Sequence, residues 1–402
     1  MSNLSIHKHN SKKKSYSIAL VACEPSGDLL AADLINSINA DKHNQVEISF
    51  FGVTGPKMEQ AGCDKVYSID ELSVMGIFEI IKYLPKLIKL RKKILNIILD
   101  KKPDLVIAID APDFNLGLEK KIKNLNNNIK TIHYVSPSIW AWRKNRIKTI
   151  KKGVDKVLCL FPFEVHLYND YNIPANYVGH PLAKKYKFRD NIKKNESRDI
   201  INHLNAKDIV IGLLPGSRKS EIEAIFPVLI KFLEKYKNNF KNIKFVIALS
   251  NNRHENIIES NLQHLKAHDK NFSNNILVHD NSEQVLYASD LILCASGTVT
   301  LEAALIGVPM VVVYYLSSFT WLLTKLLVSS KYAALPNIIS NKLIVPELLQ
   351  KNFNVDNLYY YTNKLLNDIE YKNQMINNLE QVKNTLCFSE YESISKIVLE
   401  SL

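Results

Sequence analysis

What this sequence lacks narrows its chemistry before anything else does. Its 402 residues include only five cysteines, Cys23, Cys63, Cys159, Cys294 and Cys387. They are odd in number and scattered, with no C-x-x-C pair, so neither a disulfide framework nor a zinc site is indicated and a reducing cytoplasm fits best. G-x-G-x-x-G is missing, which disfavours a nicotinamide dehydrogenase, and without G-x-x-x-x-G-K-[ST] an NTPase reading loses its main support. No D-x-D carboxylate pair stands ready to hold a divalent ion. No short period repeats, which excludes a fibrous architecture. The apolar stretch Ile18–Ala22 is too short for a signal peptide before Glu24 and Asp28. The uncharged stretch Ala303–Thr324 is broken by Gly307-Val308-Pro309 and reads as the end of a helix followed by a strand, so no transmembrane helix is expected.

What is present is enough apolar material, 46% of residues, for a large core, and the length makes two domains the natural division. A formal charge of +12 favours an anionic contact: nucleic acid, an acidic membrane surface or phosphate-bearing substrates. The lysines and aromatics form no recognisable nucleic-acid-reading module, so no nucleic-acid partner is expected.

Strand and helix patterns alternate from Ser17 to about Val178 and again from Ile209 to Tyr315. Such alternation implies two doubly wound parallel sheets. The polar stretch around 184–198 reads as the linker between them. The expected division is a flexible basic tail over 1–15, a first domain over 16–185, a linker over 186–200, a second domain over 201–345, and helices over 346–402 that close the second domain or return to the first.

Ligands of such sheets bind beyond the carboxyl ends of the strands. The most informative of these ends is Ile109-Asp110-Ala111-Pro112-Asp113-Phe114-Asn115, where an apolar run stops at two carboxylates three residues apart. Both are catalytic candidates. Cys23-Glu24-Pro25-Ser26-Gly27-Asp28 opens a helix after the first strand, and its amides, with Glu24, Ser26 and Gly27, could hold an anion or a sugar oxygen; Ser26 or Asp28 could equally be a simple cap. In the second domain, Gly216-Ser217-Arg218 follows a strand in the same way, with Arg218 suited to a phosphate leaving group. Ser296-Gly297-Thr298 opens another helix, with Glu302 one turn in as a partner for ribose hydroxyls. His133 lies inside a strand and reads as buried. Trp140, Trp142 and Arg143 suit a sugar or lipid site, although paired tryptophans are as common in cores.

The helix from about Tyr83 to Leu99 is two-faced, with Leu84, Leu87, Ile88, Leu95 and Ile98 on one side and Lys82, Lys86, Lys89 and Lys93 on the other, and with Ile80 and Ile81 just upstream. Packing on the sheet explains the pattern. So does an interfacial helix on an anionic membrane, with Ile80, Ile81, Leu84, Lys86, Lys89 and Lys93 as its contacts.

Taken in order, Glu24 to Asp28, Gly52-Val-Thr-Gly-Pro56, Val74-Met-Gly-Ile77, Ile109 to Asn115, His133 to Arg143, Phe161-Pro-Phe-Glu164, Gly179-His180, Leu214 to Arg218, Ala295 to Thr298 with Glu302, and Leu335-Pro336-Asn337 resemble the lipid-A-disaccharide synthases. These are membrane-associated glycosyltransferases of family 19 with GT-B architecture, that is, two Rossmann-like α/β domains facing across a cleft. The resemblance implies inverting transfer of 2,3-diacylglucosamine from its UDP derivative to 2,3-diacylglucosamine 1-phosphate, giving a β-1,6-linked disaccharide and UDP. It places the general base on Asp110, the diphosphate-contacting arginine on Arg218, nucleotide-site residues on Glu302 and Asn337, and a further sensitive position on Ser26. It implies no cofactor and no metal, a peripheral place on the cytoplasmic face of a Gram-negative inner membrane, and C-terminal residues that can exchange between the subunits of a homodimer. Pro25 stands where the family often has Ala, Pro181 where others have Thr, and Tyr315 where Arg is common. Two GT-B relatives, the peptidoglycan N-acetylglucosaminyltransferase and UDP-N-acetylglucosamine 2-epimerase, fit less well, because neither accounts for the aspartate-rich loop or for Trp140 to Arg143.

Overall fold

A computed structural model describes residues 14–41, 46–73, 80–201, 204–236, 242–249, 254–268, 270–317, 320, 321, 324, 328–388 and 392–402. The chain divides into two compact units. The first runs to Gly179 and takes back the terminal helix Ile394–Glu400, whose Ile397 and Val398 are fully buried in its core. The second begins at His180 and includes the long helix Ile369–Phe388.

The first unit is built on seven strands: β1 (Lys14–Ala22), β2 (Val46–Thr54), β3 (Cys63–Ser68), β4 (Leu105–Ile109), β5 (Lys130–Tyr134), β6 (Lys156–Cys159) and β7 (Ala175–Tyr177). They lie in the order β3-β2-β1-β4-β5-β6-β7, and every pairing is parallel. The second unit has β8 (Ile209–Leu214), β9 (Ile243–Ala248), β10 (Ile276–His279), β11 (Leu291–Ala295), β12 (Met310–Tyr314) and β13 (Glu347–Leu349), in the parallel order β10-β9-β8-β11-β12-β13. Central strands covered on both faces must be apolar throughout, and β4 and β11 are buried at every position.

Each order reverses direction once, between β1 and β4 in the first unit and between β8 and β11 in the second. Helices leave opposite faces of the sheet at such a point, so a crevice opens beyond the strand ends. Register sets the loops side by side there: Ala22 pairs with Ile109, and Leu214 with Cys294.

The stretch expected as a linker is structured instead. Asn191–Ile200 is helical, capped by the Asp190 carboxylate on the amides of Ile192 and Lys193. Its polar residues are spent on the second unit: Arg198 is buried and donates to the Ala288 carbonyl (3.0 Å) and to Asp290 (2.8 Å), and Lys194 reaches the other Asp290 oxygen (2.6 Å). Burial alone would raise the Asp290 carboxyl, but Lys194, the Val210 amide and Arg198 outweigh it and hold it below the usual range. Composition read as solvated was in fact paired. Of the tail expected over 1–15, Lys14 and Ser15 are strand instead, paired with Val46 and Glu47; residues 1–13 lie outside the described set. The break at Gly307 holds, as this residue ends helix Thr298–Ile306 with a left-handed φ of 84° before β12 begins. Among the described residues, no helix is long and apolar enough to cross a membrane.

Candidate active site

In the first unit, β4 ends in two successive non-glycine residues with left-handed backbone, Asp110 (φ 51°) and Ala111 (φ 43°). Each such residue costs on the order of 1–3 kcal/mol and persists only where its surroundings impose it. Here the Asp110 amide donates to the Tyr134 carbonyl (2.8 Å), and the fully buried Asn115 side chain donates to the carbonyls of Asp110 (2.8 Å) and Ile109 (3.2 Å). Asn115 is a positioning residue that the sequence reading quoted without assigning a task. The strained turn lifts Asp110 off the end of the sheet, half-buried, and among the described residues no hydrogen bond or ion pair reaches its carboxylate. Glu24 lies near it across the switch point, its carboxyl raised above the usual range by burial and then by the Asp110 charge.

Asp113 is placed differently. Its Oδ1 accepts from both Arg143 Nη1 and Arg146 Nη2, each at 2.6 Å, and its backbone carbonyl accepts from Arg91 Nη2 at 2.8 Å. Two guanidiniums on one oxygen tether the Asp113 carboxylate to the loop after β5, which sets it apart from Asp110. Trp142 lies under both guanidiniums, at 4.3 and 5.2 Å, and is exposed rather than core. Trp140 packs edge-on to Phe163 and donates to the buried Glu164 (3.0 Å), which also accepts from the Phe161 amide (3.2 Å). Burial pushes the Glu164 carboxyl up to about 7, against the pull of those donors.

The Glu24 to Asp28 motif divides by role. Glu24 makes no side-chain cap, and Ser26 lies exposed in the first turn of helix Pro25–Ala40, while Gly27 is buried. Asp28 faces away into the fold and caps the next helix, accepting from the amides of Gly55 (3.1 Å), Lys57 (3.0 Å) and Met58 (2.9 Å). A Cβ on Gly55 would sit 2.4 Å from that carboxylate, which explains why two separate motifs belong together. His133 is fully buried with Nδ1 on Glu119 (3.0 Å) and takes no part in the site.

In the second unit, the loops after β8 and β11 enclose a cavity of about 330 Å³ with Gly216, Ser217, Arg218, Glu221, Ser296, Gly297, Thr298 and Glu302 in its wall. Gly216 takes φ 117°, and a Cβ there would meet the Glu221 carboxylate at 2.6 Å. That carboxylate accepts from the Ser217 (3.2 Å) and Arg218 (3.3 Å) amides and pairs with Arg218 Nη1 (3.3 Å), so it occupies donors suited to a bound anion. Helix Thr298–Ile306 begins without a side-chain cap, and Thr298 and Val299 in its first turn line the same cavity. Glu302 accepts from Tyr186 Oη at 2.9 Å; burial and then Glu302 push that phenol far up, so it remains a donor. Tyr186 lies 116 residues away in the chain, and no local pattern marks it as a partner of Glu302.

Asn337, expected as a nucleotide contact, is fully buried and away from the wall of this cavity. Its amide nitrogen donates to the Val345 carbonyl (2.9 Å) and to Glu347 (2.7 Å), and its oxygen accepts from the amides of Ile344 (2.8 Å) and Val345 (2.9 Å). With both donors and both acceptor sites used, it is a staple. Glu347 in turn holds the amides of Ala333 and Ala334, and Ser296 Oγ donates to the Ala333 carbonyl (2.7 Å), so the staple supports the cavity from behind.

On helix Ile80–Lys101, Leu90, Ile94, Leu95 and Ile98 enter the core, while Ile88, expected on the apolar side, is exposed. Lys86 and Lys89 are exposed, and Lys93 leans on Tyr67 (Nζ to Oη 3.3 Å). Side chains of Ile80, Ile81, Lys82 and Leu84 lie outside the described residues, as does the Val74 to Ile77 motif.

Two doubly wound parallel-sheet domains in one chain, each with its polar loops at the switch point, are the architecture of a GT-B glycosyltransferase. Among solved structures, a UDP-GlcNAc 2-epimerase from Neisseria meningitidis bound to UDP-GlcNAc shares this fold (TM-score 0.59, 16% identity, 96% of this chain and 99% of that one). So does a glycosyltransferase from Rickettsia africae (TM-score 0.56, 13% identity, 97% of each). The sequence is more specific. Residues 18–400 match the lipid-A-disaccharide synthetase family, and the chain is 39% identical over 375 residues to the lipid-A-disaccharide synthase of Actinobacillus pleuropneumoniae serotype 7, covering 92% of this chain and 91% of the relative. The chain belongs to the lipid-A-disaccharide synthetase family and is a glycosyltransferase of lipid A biosynthesis.

Proposed function

We propose that the two switch points divide one inverting sugar transfer between them. The first unit activates the acceptor and the second holds UDP. The observation that carries this reading is the Asp110 carboxylate, held at a strained strand end with no hydrogen bond or ion pair among the described residues. An alcohol is a poor nucleophile, and Asp110 takes the proton from the acceptor hydroxyl as its oxygen attacks the anomeric carbon of UDP-2,3-diacylglucosamine. The bond from that carbon to the diphosphate breaks on the opposite face, and UDP leaves. Its charge falls on Arg218, the amides of Ser217 and Arg218, and the start of helix Thr298–Ile306, in place of Glu221. Glu302, steadied by Tyr186, meets the ribose. The acceptor is 2,3-diacylglucosamine 1-phosphate, lying near Ser26, Trp142 and Arg143, and the product is the β-1,6-linked disaccharide.

Both lipid substrates reside in a membrane. We assign the exposed cations of helix Ile80–Lys101, Lys86 and Lys89 with Lys93 at their edge, to contact with an anionic inner-membrane surface on its cytoplasmic side. We further propose that the chain forms a homodimer whose subunits exchange C-terminal residues. Purified protein in detergent is expected to release UDP from UDP-2,3-diacylglucosamine only when the monosaccharide 1-phosphate is added. Release indifferent to that acceptor, or no disaccharide by mass spectrometry, would sink the assignment.

A further inference from the structure

The proposed chemistry uses Asp110 and leaves unexplained the cations gathered one turn further on. Three arginines from two separate segments converge on Asp113: Arg91 from the helix Ile80–Lys101, and Arg143 and Arg146 from the loop after β5 and the turn that follows it. Two of the guanidiniums sit on the Asp113 carboxylate and the third on its backbone carbonyl, so three positive charges gather about one negative charge, an excess of two. Both Arg143 and Arg146 crowd onto the single oxygen Oδ1, and the Asp113 side chain is 73% exposed, so this is no buried staple that needed neutralising. Arg91 contributes a buried Nε that has no hydrogen-bond partner among the described residues. Trp142 stacks beneath two of the guanidiniums and limits where their planes can point.

A fork of guanidinium donors with surplus charge matches a phosphate monoester, which offers three oxygens and up to two charges. We propose that Arg91, Arg143 and Arg146 form the site for the phosphate of the acceptor, with Asp113 holding the guanidiniums in place until it arrives. This rests on the reading of Asp110 as the base. In a β-1,6 transfer the acceptor reacts through its 6-hydroxyl and carries its phosphate on C1, at the other end of the sugar. Asp110 at the end of β4 and Asp113 in the first turn of the helix Pro112–Leu125 present the two matching chemistries three residues apart in the chain. The phosphate thereby sets which hydroxyl meets the base.

The test compares two acceptors with the full-length protein in detergent: 2,3-diacylglucosamine 1-phosphate and the same lipid with a free 1-hydroxyl. Wild type is expected to favour the phosphorylated acceptor by about 100-fold in kcat/KM, as two charge-assisted contacts allow. In the doubly substituted Arg143→Gln, Arg146→Gln protein that ratio should collapse to within about fivefold of unity, with KM for the UDP-sugar unmoved. Parallel losses on both acceptors, or an unchanged ratio, would overturn the proposal. Glucosamine 1-phosphate binding by calorimetry gives an independent readout. If wild type made no disaccharide from either acceptor, the proposed function would fall. The cluster would then be judged by this ligand alone: binding in wild type and its loss in the double variant would support it, and no binding in wild type would overturn it.

Discussion

The two switch points share a topology and differ in what occupies them. At β8/β11 the proposed chemistry falls to backbone amides on small-residue turns, with Arg218 and Glu302 in the wall of a formed cavity. At β1/β4 it falls to side chains, a carboxylate without a partner among the described residues on a strained strand end and a cluster of arginines around its neighbour. A diphosphate carries its charge on oxygens of fixed spacing, and oriented amides with one cation meet it without titrating. Activating a hydroxyl requires a group that changes protonation, and that group must be a side chain held clear of other partners. The same fold can therefore present a rigid anion seat in one domain and a proton acceptor in the other.

Asp110→Asn should break the comparison hardest. Turnover is expected to fall by about 10²–10⁴, the range for a lost general base, while calorimetry still registers UDP. Near-normal turnover would return attention to Glu24, the other carboxyl at that switch point. Arg218→Gln attacks the opposite side, and a drop of about 10²–10³ in kcat is expected where charge on a leaving group loses a donor. UDP affinity should weaken with it, which separates this variant from Asp110→Asn.

The supports beneath the two sites differ in kind, and pH should expose this. The loop of the first unit hangs on Glu164, which titrates; the staple of the second, Asn337, does not. Folding raises the Glu164 carboxyl from its ordinary 4.5 to about 7, so the folded state binds the extra proton across that window. Its contribution is therefore fully present below about pH 4.5 and declines as pH rises to about 7, by roughly 3 kcal/mol. Thermal unfolding of Glu164→Gln should lack that slope; identical pH dependence in the two proteins would contradict the assignment. The smallest effect is expected from reversing Lys86, Lys89 and Lys93 to Glu, which should lower flotation with anionic vesicles by about 1 kcal/mol per residue at the surface and leave detergent activity intact. Unchanged flotation would leave the helix a plain packing element.

Much of this was legible along the chain because short-range patterns carry it. Five buried residues ending at Asp110, and Gly216 and Gly297 at helix starts, are local signals, and they located both switch points. A polar side chain in sequence says nothing about whether a distant partner has already claimed it: Glu347 engages the Asn337 amide, Arg146 engages Asp113 Oδ1, and Asp290 engages Arg198 in the stretch 186–200 that read as a linker. Ile88 failed for a related reason: helical spacing gives a face, and only the packed sheet decides how wide a strip of it is covered.

By itself the sequence determined two parallel α/β domains, the loops that carry the chemistry and the family, because hydrophobic periodicity and motif order are properties of neighbours along the chain. Tertiary structure decided which polar groups remain available. Among the described residues the Asp110 carboxylate has no partner while Asp113 Oδ1 has two, Glu302 is oriented by Tyr186, and three arginines meet at one residue, since hydrogen-bond and charge satisfaction depends on atoms brought together across sequence distances that no local pattern spans.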